Sequence, residues 1–558
     1  MRKIIIILSF LLYQTSTYSK VSEKNEFNQK YLSNYFSALI SYDNQKNDDA
    51  LKFFKSSKSL IQKHDNFLKE YVFSLVLDGQ IKRAIDQIKV SKNSNNSNFF
   101  ELNLLLYLDS LVKKKYKKAA KRLKKIENSI DAGTYEFIIY KTIKDYNDLF
   151  QNKKIKKSND DFGQLSFITN AFQSCYLNSN KANSYFLNLI NSAEGDYSRY
   201  LFFYLANIVE NKDYNAAREI SSTIEPLSSS LLISQTKNWI ENEDFKKFNN
   251  YFSCKNENHL ISEFFFLISN LFSSQEKFSK SNFYLSLSNY LNPKFYFNLS
   301  LLAENYYLNN NFDLAKKTLS KFDDQDRIYY WYKIKKTAQI LKKQKKEDES
   351  LKFIETEFRS ISKPSIKILY DMANIYKNFK KYEKAINYYS KVLLMLEDDT
   401  PIYADVLYKR GGSYERLNQF NKADTDLLRS LDITPGDPYT MNYLAYSWLE
   451  RDIKIDEAIQ MLENAYNKNE NDPYITDSIG WGYYLVGDYI KAEKYLKRAV
   501  ELMPFDPIIH DHYGDVLWRL NRKIQAKYFW ESVLDLEDTE EKMKKDIYFK
   551  LLNGLKKI

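Results

Sequence analysis

The chain has 558 residues but only 12 Gly and 9 Pro, too few turn formers for an all-β protein of this length. It is also too long for one ordinary core, which leaves several domains or a solenoid. A formal net charge of +11 raises nucleic acid or an anionic membrane surface as partners, and the placement of the lysines has to decide between those and a solvated face.

The N-terminal stretch "MRKIIIILSFLLYQTSTYSK" has a basic tip, Arg2 and Lys3, then an apolar run from Ile4 to Tyr13. About ten apolar residues suit a secretory signal and fall short of the roughly twenty that a spanning helix needs. Cleavage after Ser19, with Thr17 two residues before it, makes residues 1–19 a signal peptide and places the mature chain in the periplasm or cell envelope. Tyr18 and Lys20 make an imperfect site, so the alternative is an uncleaved signal that anchors the chain in the inner membrane.

Residues 20–360 read as degenerate helical hairpins. Small residues recur at the second-helix packing slot, as Ala50, Ala84, Ala119, Ala182, Ala217, Ser281, Ala315 and Ser350, close to the 34-residue period of helical-hairpin repeats. The register slips near 150 and 250, and about fourteen hairpins fit the whole chain. The densest basic run, "VKKKYKKAAKRLKK" at 112–125, puts Tyr116, Ala119 and Leu123 on one helical face and the lysines on the rest. That is a solvated repeat helix rather than a nucleic-acid stripe, with loose attraction to a membrane surface as a secondary possibility. "SKNSNNSNF" (91–99) and "DDFG" (160–163) read as loops between hairpins. Cys175 and Cys254 lie more than two repeats apart; because solenoid repeats touch their immediate neighbours, both are expected as buried free thiols.

Residues 361–537 carry the clearest pattern. In "DPYITDSIGWGYYLVGDYIKAEKYLKRAVELMP" (472–504), Ile479, Gly480 and Tyr483 fall on one face of a first helix, and Tyr489, Ala492, Leu496 and Ala499 on one face of a second. Gly487 and Asp488 lie at the turn, Pro504 stops the second helix, and Pro507 opens the next. The same slots recur as Gly411, Ala445, Gly480 and Gly514, and as Ala423, Ala458, Ala492 and Ala526. This spacing resembles the tetratricopeptide repeat, which implies an all-α superhelical solenoid of helical hairpins. Residues 538–558 are expected to form an amphipathic helix capping the last hairpin.

No G-x-S-x-G, H-E-x-x-H or Cys-x-x-Cys occurs. His510 and His512 are two apart on a helix and point about 200° away from each other, so that segment alone cannot hold a metal. Neither a catalytic residue nor a cofactor is expected. The candidate partner-binding residues lie on the first helices, off the hairpin packing face: Tyr408, Asn442, Tyr446, Asp477, Trp481, Tyr484, Asp511, Asp515 and Trp518, with Tyr370 and Asn374 upstream. Clustered aromatics and carboxylates suit a protein or peptide with basic or polar groups. They also depart from the lysine, arginine and asparagine set of carboxylate-clamp tetratricopeptide domains. Alternatively, Tyr446, Trp481 and Trp518 merely pack against neighbouring helices.

The phrases "DPYITDSIGW" and "HYGDVLWRL" resemble bacterial envelope tetratricopeptide proteins over about a third of the chain. That resemblance implies an exported, non-catalytic adaptor, in some members a lipoprotein delivering substrates to an envelope protease; this chain lacks a cysteine near its signal for lipid attachment. The alternatives are an assembly factor for envelope polysaccharide or outer-membrane machinery, or an enzyme with a hydrolytic or metal site in the degenerate half.

Overall fold

The computed structural model describes residues 29–62, 64, 66–91, 99–127, 130–156, 160–192, 198–324, 326–536 and 539–555. The expected signal peptide and most of the Asn-rich stretch at 91–99 lie outside the described residues. Thirty α-helices and one short 3-10 turn make up the regular structure, with no strand among the described residues. The fold is therefore the expected all-α hairpin solenoid. It divides into two compact units, residues 1–355 and 356–558.

The first unit contains α1 (Gln29–Asp43), α2 (Asn47–Ser56), α3 (Phe67–Leu77), α4 (Ile81–Val90), α5 (Phe100–Val112), α6 (Tyr116–Glu127), α7 (Tyr135–Asn152), α8 (Gln164–Tyr176), α9 (Lys181–Ile190) and α10 (Arg199–Glu210). It continues with α11 (Tyr214–Ser222), α12 (Leu231–Glu241), α13 (Lys246–Tyr251), α14 (Glu257–Ser274), α15 (Phe278–Leu291), α16 (Phe297–Leu308), α17 (Phe312–Leu319) and α18 (Arg327–Lys343), and α19 (Glu347–Ser360) runs across its end. The second unit holds α20 (Ile366–Asn378), α21 (Tyr382–Leu393), α22 (Pro401–Glu415), α23 (Phe420–Ile433), α24 (Pro438–Glu450), α25 (Ile455–Lys468), α26 (Pro473–Leu485), α27 (Tyr489–Leu502), α28 (Pro507–Arg519), α29 (Lys523–Asp535) and α30 (Glu541–Asn553).

Twenty-eight of these helices pair into fourteen hairpins, each reversing through a residue with positive φ, from Gln45 and Gly79 to Gly487 and Asn521. The small slot generally falls five residues after that residue, where the two helices come closest. Ala50, Ala84, Ala217, Ala315, Ala385 and Ala492 are fully buried there. The register gap near 150 is α7, a helix with no hairpin partner. The gap near 250 has a steric origin. After the turn at Glu243 the slot is occupied by Phe248, which is fully buried against Trp239 and Phe202. A ring there denies the close approach that alanine allows, and the second helix, α13, is only six residues long.

The first unit curls until its early hairpins meet its late ones. Phe73 on α3 stacks on Phe283 of α15 at 4.3 Å, and the Tyr42 hydroxyl lies 3.1 Å from Ser279 Oγ. Tyr116 and Tyr176 both donate to the Glu257 carboxylate at 2.6 and 2.8 Å. Arg199 makes a two-pronged pair with buried Glu263 at 2.9 and 2.7 Å. This closure corrects the expectation for the cysteines: Cys175 and Cys254 form a disulfide, with no free cysteine among the described residues. Repeats here do not touch only their neighbours. The chain beyond the short α13 turns back so that Phe252 packs on Phe172 and Phe203, delivering Cys254 to the end of α8. The basic helix α6 buries Ala119, Leu123 and Ile126 and leaves its lysines exposed, as the solvated-face reading requires.

In the second unit the capping chemistry repeats with the helices. Asp437, Asp472 and Asp506 cap α24, α26 and α28 by accepting from amides two or three residues on, and Pro438, Pro473 and Pro507 fill the first helical position, where no amide is needed. At Gly480 a Cβ would lie 2.6 Å from Leu496 Cγ, and at Gly514 one would lie 2.5 Å from Trp530 Cδ1. Glycine is what lets each pair of helices close.

Candidate functional site: the first-helix face of the second unit

Stacked first helices place side chains 35 residues apart next to each other, and this offset builds the face. Tyr370 donates to Asp405 at 2.8 Å. The Tyr408 ring meets that of Tyr443 edge-on at 5.9 Å. Asp477 pairs through both oxygens with His512 Nδ1 at 3.0 Å. Arg519 Nε donates to the Tyr484 hydroxyl at 3.4 Å, and Lys550 Nζ donates to both oxygens of Asp515 at 2.8 and 2.9 Å.

Trp481 is the centre of the arrangement. Its ring lies 4.0 Å from that of His512 and 4.5 Å from that of Tyr484, each nearly parallel, and its Nε1 donates to Glu450 at 2.9 Å. Trp481 and Tyr446 remain half-buried while Tyr484 is buried. Burial, followed by the charges of Glu450 and Asp477, raises the Tyr446 hydroxyl above its ordinary value, so it stays protonated and able to donate. On the same turn of α24, Asn442 Oδ1 is sealed from solvent with no hydrogen-bond partner. Asn374, further upstream, accepts from the Tyr389 hydroxyl at 2.7 Å and is thereby committed to its own hairpin.

Burial alone would lower the His512 pKa, but Asp477, then Asp511 and Asp515, more than offset it, and the ring is raised above its usual value. His510 turns away toward Ser532 and Phe529. The two histidines of "HDH" therefore serve different layers. Among the described residues no group of three His, Cys, Asp or Glu side chains is arranged to hold a metal ion.

The structure separates the nine sequence-selected residues into two sets. Tyr408, Asn442, Tyr446, Asp477, Trp481 and Tyr484 lie on the continuous face just described. Asp511, Asp515 and Trp518 sit under α30. Lys550 bonds Asp511 at 2.6 Å as well as Asp515, and Trp530 Nε1 donates to Asp515 at 3.0 Å. Trp518 lies so close to Gly554 that a Cβ there would be 2.0 Å from the indole. Burial and the neighbouring Asp511 carboxylate push Asp515 up to about 6 despite Lys550. Sequence reasoning missed Glu450, His512 and Lys550. The last two were accessible through the 35-residue offset from Asp477 and Asp515, whereas Glu450 reaches Trp481 across 31 residues and shares no such slot.

Residues 366–395 and 404–437 match the tetratricopeptide repeat family profile. A TPR repeat-containing protein, PA4667, of Pseudomonas aeruginosa is 31% identical over 111 residues, covering 20% of this chain and 19% of that protein. Protein bimA of Emericella nidulans is 27% identical over 84 residues, covering 15% of this chain and 10% of its own length. The chain thus spans about a fifth or less of these relatives. Among solved structures, a thermophilic tetratricopeptide protein of Thermus thermophilus, TTC0263, is 18% identical with a TM-score of 0.31, over 34% of this chain and all of that one. A tetratricopeptide repeat protein of Parabacteroides merdae is 17% identical with a TM-score of 0.39, over 46% of this chain and 99% of that one.

Proposed function

We propose that this tetratricopeptide-repeat chain is an exported, non-catalytic scaffold that captures a protein or peptide along the first-helix face from Tyr408 to Tyr484. The observation that carries this reading is Trp481, held flat between Tyr484 and His512 and fixed through its Nε1 while keeping part of its surface free. An aromatic already locked in place loses little entropy when a partner covers it, which is how a few anchors come to dominate an interface. Export is supported by the apolar N-terminal run and by the Cys175–Cys254 disulfide, which suits an oxidising compartment. Delivery of the captured chain to an envelope protease is the role that the resemblance of "DPYITDSIGW" and "HYGDVLWRL" suggests.

Replacing Tyr446 and Trp481 together with alanine tests the reading. Crosslinking pull-downs from the envelope fraction should lose the partners that the unaltered chain captures, with helicity unchanged. Full capture by a folded double variant would place binding elsewhere, and unfolding of the variant would make these side chains core.

A further inference from the structure

The exposed face of the basic helix α6 carries one sign of charge. A solvated repeat helix ordinarily mixes both, as α27 does, where Lys491 lies 3.8 Å from Asp488 and Arg498 lies 3.4 Å from Glu501. Between Asp109 and Glu127 the chain has no acidic residue at all. Those two carboxylates are already engaged, Asp109 by Lys89 and Lys113 at 2.8 and 2.6 Å and Glu127 by Lys144 at 3.4 Å. Lys114, Lys117, Lys118, Lys121, Lys124 and Lys125 are exposed and make no ion pair among the described residues.

At about 100° per residue, Lys117, Lys118, Lys121, Lys124 and Lys125 fall within about 120° of one another, away from the buried Ala119, Leu123 and Ile126. Lys117 with Lys121, and Lys121 with Lys125, are like charges one turn apart, an arrangement that weakens a helix. Packing of the apolar face holds the stripe together against its own repulsion, and an anionic surface laid against it would relieve that repulsion.

The chemistry of the stripe selects among polyanions. Apart from Arg122 it is lysine, whose ammonium is a point charge suited to a diffuse surface, rather than arginine, whose fork reads a phosphate bidentately. Tyr116, the aromatic of the run, donates to Glu257 at 2.6 Å and is no stacking platform for bases. The Cys175–Cys254 disulfide suits an oxidising compartment, where lipid headgroups rather than nucleic acid are the abundant polyanion. Because the apolar face of α6 is spent on its own hairpin, the helix has nothing to insert among acyl chains.

We infer that the exposed face of α6 docks the first unit on a phospholipid bilayer bearing anionic headgroups, by surface attraction without insertion. This docking stands or falls independently of partner capture by the second unit.

Flotation of the full chain with lipid vesicles tests the inference. Vesicles of phosphatidylcholine with about 30% phosphatidylglycerol should bind it at least about tenfold more tightly than phosphatidylcholine alone, and the difference should vanish between about 0.1 and 0.5 M salt as screening tightens. Lys117→Gln, Lys121→Gln and Lys124→Gln together keep a strong helix former at each position and should weaken binding to the anionic vesicles about 100-fold. Lys491→Gln, Lys494→Gln and Lys497→Gln together remove the same net charge from α27 and should leave binding within about twofold. Equal binding to both vesicles, unchanged binding of the folded α6 variant, or equal loss in the two variants would each overturn the assignment. Preference for duplex DNA over the anionic vesicles at equal phosphate concentration would overturn it too, and give the face to nucleic acid. Should the α6 variant unfold, the salt series on the unaltered chain decides it, with a flat profile counting against docking.

Discussion

The two units use one hairpin grammar to different ends. In the second unit, contacts step from each first helix to the next at an offset of 35 residues, as in Tyr370 with Asp405, Asp477 with His512 and Asp515 with Lys550. In the first, hydrogen bonds reach across 141 residues from Tyr116 to Glu257 and 237 residues from Tyr42 to Ser279, and a disulfide spans 79. A clean repeat signature accompanies a ladder of neighbours, and a decayed one accompanies closure. Once distant hairpins share a core, each position answers to its own surroundings rather than to the repeat, and Phe248 in an alanine slot is one outcome.

The largest test of that contrast is Cys254→Ser. Losing the cross-link should destabilise the first unit by about 2 to 5 kcal/mol. Hydrogen exchange should show the change throughout residues 29–355 and little in the second unit. Uniform loosening of both would erase the distinction.

Ala492→Leu probes the other side. Ala492 is fully buried where α26 and α27 nearly touch, and overpacking it should cost about 1 to 3 kcal/mol. Because the second unit behaves as a ladder, exchange should quicken most in α26 to α29 and fade toward α20. Equal acceleration at α20 would mean this unit is as cooperative as a closed one.

The smallest effect is set by pH. His512 has a folded pKa raised above its ordinary value of about 6.5. Its pair with Asp477 therefore contributes stability in full below about 6.5, lost as pH rises through the folded value. Asp515, raised to about 6, acts in the same direction between its ordinary value near 3.9 and 6. The urea midpoint of the second unit should fall from pH 5 to pH 8, and His512→Asn should flatten that slope above pH 6. A slope unchanged in His512→Asn would assign it to other groups.

Much of this protein is legible along the chain. The small slots from Ala50 to Ala526, the Asp-Pro helix starts and the turn at Gly487 follow from local rules: a helix buries one face every three or four residues, and a turn needs a residue that tolerates positive φ. Those rules act within a few residues, so one sequence reveals them, including the candidate face from Tyr408 to Tyr484. Tertiary structure alone decided what happens between distant segments. It joined Cys175 to Cys254, curled α3 onto α15, and chose Asp511, Asp515 and Trp518 as the side chains that the expected capping helix α30 and the glycine after it cover. The physical reason is curvature: small differences in how each hairpin packs on the next accumulate over many repeats, and no single residue records their sum.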